Sequence, residues 1–261
     1  QALASVGAST SVQFMVLGFC MGSCTGFGIP VAKYFGAGDL AHMKKIIFNG
    51  AIVTAAIACI ITALCALLCP RILQVLSVKS DIYDNAYSYL MIIFLGLPFT
   101  LLYNYLSSIL RAVGDSRTPF LFLAFSAVLN IFLDLLFIVP FHMGVGGAAL
   151  ATILSQLLSA ILSLVVGLKN FPVLHLHRED FHDLKASAVL HLKTGFPMGF
   201  QMSVMCIGQL AMQAVVNGLG TAAVAGYTAA SKADQLSVLI NNAMMTAISN
   251  YVAQNFGAGR K

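Results

Sequence analysis

The chain has 261 residues, 59% of them apolar and 9% charged, with a formal net charge of +5. Soluble domains carry about 25% charged residues, so a soluble globular protein is excluded. A nucleic-acid partner is excluded with it, because no soluble basic patch exists to hold one. What remains is an all-α polytopic membrane protein in a cell membrane, its surface solvated by lipid.

Helices are predicted at 5–33, 46–69, 84–110, 119–140, 146–168, 192–217 and 222–256, each near or above the roughly 20 residues a bilayer crossing needs. The first span, uncharged from Gln1 to Ala32, is too long to be a cleavable signal. Gly22, Gly26 and Gly28 thin its second half, and it closes on Phe35-Gly36-Ala37-Gly38. Pro98 and Pro197 fall inside later spans and are kink candidates, because each frees a backbone carbonyl. The cysteines at 20, 24, 59, 65, 69 and 206 lie in or beside apolar spans without any Cys-x-x-Cys pair, as small packing residues do.

A tight connection near Met143 makes 119–140 and 146–168 a helical hairpin, and Gly144, Gly146 and Gly147 open its second arm with small residues. The polar segment Lys169–Lys193 follows. His175, His177, Glu179, Asp180 and His182 within it can be drawn as a metal site, but the composition is that of a solvated linker. The joint between two units is placed there: an amino-terminal lobe over 1–180 and the opening of a carboxy-terminal lobe over 181–261.

The last span closes on Phe256-Gly257-Ala258-Gly259, a repeat of the earlier tetrapeptide 221 positions on. Six predicted crossings separate the two copies, so both run the same way through the membrane. Lys33, Lys44, Lys45, Arg111, Arg117, Lys169, Arg178, Lys185, Lys193, Arg260 and Lys261 then share one side, against Arg71 and Lys79 on the other. The positive-inside bias puts both Phe-Gly-Ala-Gly ends at the cytoplasmic face. This is a parallel repeat, one of the arrangements secondary transporters use. The chain starts inside an apolar segment and stops just past a helix, so a piece of a longer protein is expected.

Three ionisable groups sit well inside spans: Asp134, Lys232 and Asp234. Charge at that depth costs about 2.5–3.5 kcal/mol on insertion scales and needs a reason. Asn130 lies one turn before Asp134 on the same face. Counting outward from Met143 pairs Asp134 with Thr152 and Asn130 with Gln156, so Asn130, Asp134, Thr152 and Gln156 are expected to form one polar cluster. A carboxylate among neutral oxygen donors suits a proton or a sodium ion; the bland alternative is an Asp that hydrogen-bonds helices together. Gln209, Gln213 and Asn217 form a polar stripe, and reflection through the turn near Gly220 sets Gln209 level with Lys232. Together with Asp234 these line a second-lobe cavity or only bond helices to one another. No nucleophile, base and metal ligands converge at one depth, so no enzyme and no cofactor is expected, nor any metal beyond sodium.

Several segments carry a resemblance. They are Ala-Ser-Val-Gly-Ala-Ser (4–9), Tyr-Phe-Gly-Ala-Gly-Asp (34–39), Arg-Ala-Val-Gly-Asp-Ser-Arg-Thr-Pro (111–119) and Asn-Ile-Phe-Leu-Asp (130–134). Gly-Val-Gly-Gly-Ala-Ala-Leu-Ala-Thr (144–152), Gly-Phe-Pro-Met-Gly (195–199), Ala-Ala-Ser-Lys-Ala-Asp (229–234) and Gln-Asn-Phe-Gly-Ala-Gly (254–259) complete the set. The chain resembles the multidrug and toxic compound extrusion (MATE) transporters end to end. The resemblance implies a two-lobed, twelve-helix antiporter, of which this chain spans helices two to eight. Such a protein exports small organic, often cationic compounds in exchange for protons or sodium ions, in a bacterial cell membrane and with no obligatory protein partner. It puts Asn130, Asp134 and Thr152 on the family's amino-lobe cation site; the acidic residue that many members carry on their first helix has no counterpart here. The alternative within the superfamily is a lipid-linked oligosaccharide flippase, which needs several basic residues inside its cavity where only Lys232 is expected.

Overall fold

The computed structural model describes residues 2–76, 78, 80–170 and 184–260. Among them every regular element is a helix: α1 (Ala2–Gly36), α2 (Leu40–Val75), α3 (Ser80–Leu95), α4 (Leu97–Ala112), α5 (Arg117–Ile138), α6 (Gly144–Asn170), α7 (Leu184–Asn217) and α8 (Thr221–Gly257). The expected boundary near residue 180, and with it the histidine-rich segment, lies outside the described residues.

The span expected over 84–110 is two helices, α3 and α4, bent by 42° at Gly96. Pro98 stands in the first turn of α4, where its missing N–H leaves no helical bond unmade. The span is thus bent at the proline, as expected, with the proline opening the second of two helices. Pro197, by contrast, lies inside a continuous α7.

By length and apolarity, α1, α2, α5 and α6 qualify to cross a membrane, and the α3–α4 pair qualifies as a fifth span. Helices α7 and α8 have the expected length, at 34 and 37 residues. Both carry polar residues in mid-helix, Gln201, Gln209 and Gln213 on one and Lys232, Asp234, Asn241 and Asn242 on the other. On α5 a broad face of Phe120, Leu121, Phe125, Val128, Ile131 and Leu135 is exposed, as a lipid-facing helix requires.

Apolar burial does not drive helices together in lipid; close packing does. The packing here centres on α1, whose Cys20, Cys24, Phe27 and Val31 are buried with Leu90, Phe94, Leu97 and Leu101 of α3 and α4. Along its other side α1 meets α7 backbone to backbone. A Cβ on Gly22 would stand 2.9 Å from the Met198 carbonyl carbon, and one on Gly26 2.7 Å from the Gly195 Cα. Only residues without a side chain allow that approach.

The two Phe-Gly-Ala-Gly copies end α1 and α8 with the same cap. In the first, Ala37 N–H donates to Lys33 O, Gly38 N–H to Phe35 O and Asp39 N–H to Tyr34 O; in the second, Ala258, Gly259 and Arg260 repeat the pattern onto Gln254, Phe256 and Asn255. Each needs a left-handed residue, supplied by Gly38 (φ +71°) and Gly259 (φ +73°). Asp39 then starts α2, its carboxylate accepting the His42 N–H at 3.1 Å.

Candidate functional site

The α5–α6 hairpin is stitched by side chains along its length. Ser159 Oγ donates to Phe122 O at 3.1 Å, and Asn130 Nδ2 donates to Thr152 Oγ1 at 3.4 Å. The second bond shifts the expected register by one turn: Asn130, not Asp134, is level with Thr152. The cause is the connection. Helix α5 stops at Ile138, and the chain reverses through His142 and Gly144 at positive φ, so the hairpin centres on residue 141, ahead of Met143.

Asp134 sits one helical turn beyond Asn130. Its Oδ1 is buried and has no hydrogen-bond partner among the described residues. Tyr89 of α3 lies within electrostatic reach of it, and the same tyrosine donates its hydroxyl to Gln13 Oε1 of α1 at 3.2 Å. A buried carboxylate oxygen left open is a costly arrangement.

Beside this hairpin lies a cavity of about 960 Å³. Its walls come from α1 (Met21, Thr25), α4, α5, α6 (Thr152, Gln156) and α8. Asn130, Thr152 and Gln156 line it, and Asp134 is not among its lining residues. Gln156 is paired with Thr100 across the α4–α6 contact. Thr100 and Asn104 are tied together in turn, since Asn104 Nδ2 donates to Thr100 O at 2.8 Å. The site is therefore a chain of amides and hydroxyls running from α6 to α4.

Two parts of this wall were not foreseen. Thr100, Asn104, Ser107 and Arg111 recur at helical spacing on α4, and Thr246, Asn250 and Gln254 do so on α8. Both stripes are visible as periodicity once their spans are known to face one cavity. Arg111 is the one charged residue among those lining it, and its Nε has no partner among the described residues. The second-lobe candidates do not reach the cavity. Lys232, Asp234 and Gln209 are exposed, and Gln213 is partly buried on α7. Among the described residues no group of His, Cys, Asp and Glu has metal-binding geometry.

Long apolar helices packed through glycine contacts, around a cavity lined by α1, α4, α5, α6 and α8, define a multi-pass helical transporter fold. The family model described as MatE matches residues 1–136 and 197–261, and the chain belongs to that family, the MATE transporters. It is 32% identical over 265 residues to the "Probable multidrug resistance protein YpnP" of Bacillus subtilis, covering all of this chain and 58% of that one. It is 29% identical over 274 residues to the "Probable multidrug resistance protein NorM" of Thermotoga maritima, covering 57% of that protein. Among solved structures, a MATE protein in its bent conformation superposes with a TM-score of 0.92 at 23% identity, over 99% of this chain and 58% of that one. A MOP superfamily transporter from Pyrococcus furiosus gives 0.89 at 24% identity, over 99% of this chain and 57% of that one. These two likenesses concern the fold alone. The chain spans a little over half the length of the relatives it matches.

Proposed function

We propose that the intact protein is a secondary antiporter that exports small organic compounds, cationic ones included, in exchange for protons or sodium ions. One observation carries the reading: the buried, unpartnered Asp134 oxygen one turn from the Asn130–Thr152 bond. A cation bound there would be held by one carboxylate and by neutral oxygens of α5 and α6. Because Asn130 and Thr152 also line the cavity, the ion site would adjoin the substrate's path.

Coupling requires that each ligand bind the two lobe arrangements with different affinity. The amino-terminal unit holds the ion site, and α8 of the second unit closes the cavity's far side, so any rocking of the units changes the cavity without dismantling the ion site. A polyphosphate lipid would call for several cations along the cavity; its walls offer Arg111 alone, which argues against a flippase. The test is efflux from proteoliposomes holding the intact protein, with the sodium and pH gradients imposed independently. Efflux that follows neither gradient overturns antiport.

A further inference from the structure

His191 is fully buried where α7 of the second unit meets α1 and α2 of the first. Its Nδ1 lies 2.8 Å from Ser187 O. A carbonyl only accepts, so Nδ1 carries the hydrogen, and in the neutral ring Nε2 is a bare lone pair. That Nε2 has no partner among the described residues.

The surroundings are polar but uncharged. Asn49 of α2 donates from Nδ2 to Ser187 Oγ at 3.0 Å, and Tyr105 of α4 donates its hydroxyl to Ile47 O at 2.6 Å. Gly50 leaves room for both rings: a Cβ there would overlap the His191 imidazole and the Tyr105 hydroxyl. Phe27 of α1 closes the remaining side, its ring edge-on to the imidazole at 5.4 Å between centroids. The titratable groups facing this knot are the Tyr105 hydroxyl and, next to Tyr105 on α1, the Cys24 thiol. No carboxylate, ammonium or guanidinium of the described residues acts on His191.

We propose that His191 is a second proton-binding site, on the seam between the two units, and that its protonation parts the seam. Neutral His191 fits: one N–H is satisfied and the ring packs on Phe27. The imidazolium gains a second N–H and a charge in a place without an anion to meet it, and burial of an uncompensated charge is strongly unfavourable. Separation of α7 from α1 and α2 lets water reach Nε2 and relieves that cost. The seam lies toward the Lys33 end of α1, so protonation favours opening on the side where the positive charges gather. The inference rests on the two-unit reading of the transporter but not on Asp134 as the coupling site.

Spin labels on Ala41 of α2 and Lys185 of α7, both exposed, report the seam in the intact protein reconstituted in nanodiscs. Acidification from about pH 8 to about pH 5, the range in which histidine titrates, should raise the long-distance population several-fold. His191→Gln and His191→Phe should leave it flat, and Asp134→Asn should keep the rise. Hydrogen exchange at the His191 ring carbon, read by mass spectrometry on the unmutated ring, should step over the same pH interval. A pH-driven opening that survives both His191 substitutions overturns the proposal. So does an opening across which His191 shows no titration. Retention of coupled efflux by Asp134→Asn contradicts Asp134 as the coupling site and leaves this one standing.

Discussion

Gly36 and Gly257 mark a crossing at which two helices touch backbone to backbone. A Cβ on Gly257 would lie 2.8 Å from the Lys33 carbonyl carbon, and one on Gly36 2.6 Å from the Gln254 Cα. The two halves of the repeat are thus in contact, each cap against the other helix. Around the crossing, Gln254 Nε2 donates to Ala112 O at 2.8 Å, and the Lys33 ammonium lies 5.4 Å from the centre of the Phe256 ring.

That crossing predicts the effect of added bulk. Overpacking costs about 1–3 kcal/mol, which is roughly a 5- to 150-fold shift between two arrangements. Gly257→Val should therefore loosen the α1–α8 crossing and expose a cysteine placed at Ser107 to a membrane-impermeant thiol reagent added on the side expected to be cytoplasmic. Gly208→Val, where a Cβ meets nothing within 4 Å, should leave that labelling unchanged.

The Asn130–Thr152 bond predicts a graded series. Thr152→Ser keeps the hydroxyl, and Thr152→Val removes it and leaves the Asn130 amide without that acceptor. A lost side-chain hydrogen bond is worth about 0.5–1.5 kcal/mol, so the valine variant should raise the half-saturating concentration of the coupling ion roughly two- to tenfold. The serine variant should stay near the parent. Ion-dependence curves for efflux read both.

Much of this site was legible because polarity at membrane depth stands out. Asn130, Asp134 and Thr152 are isolated polar groups in apolar runs, and their spacing alone suggested a cluster. The pairing came out one turn off because positive φ at His142 and Gly144 sets the turn's centre, and no hydrophobic pattern encodes that. Pro98 announced the bend in its span but not the full break at Gly96, because a proline early in a new helix and a proline inside a continuous one look alike in sequence. Gly22 and Gly26 were visible as small residues, but their partners Gly195 and Gly199 were not. Which helix meets which is fixed by tertiary packing, and local periodicity does not carry it. The α4 and α8 walls were missed on the same ground.

Arg111 predicts a charge effect on substrate choice. As the one charged lining residue it opposes a cation bound nearby, and at about 10 Å and an effective dielectric near 20 that opposition is roughly 1–2 kcal/mol. Arg111→Gln should tighten binding of a cationic dye about tenfold and leave a neutral dye of similar size unchanged. Equilibrium fluorescence titration of the purified intact protein distinguishes the two.

Asp39 predicts a local pH dependence outside the membrane. The His42 backbone N–H, more than any other group, holds its carboxyl below the ordinary 3.8. A lowered carboxyl stabilises above the unfolded value and loses that contribution as pH falls through the folded one. Amide exchange at His42 should stay protected down to about pH 4 and accelerate below it. Asp39→Asn, which caps without titrating, should abolish the acceleration.

The proposed antiport turns on the open Asp134 oxygen as a ligand of the coupling ion. Its most direct test is dye efflux by the intact protein carrying Asp134→Asn, under an imposed proton or sodium gradient, with membrane insertion confirmed by matched yield. The account predicts that gradient-driven efflux is abolished while dye binding persists. Undiminished gradient-driven efflux in that variant would contradict it.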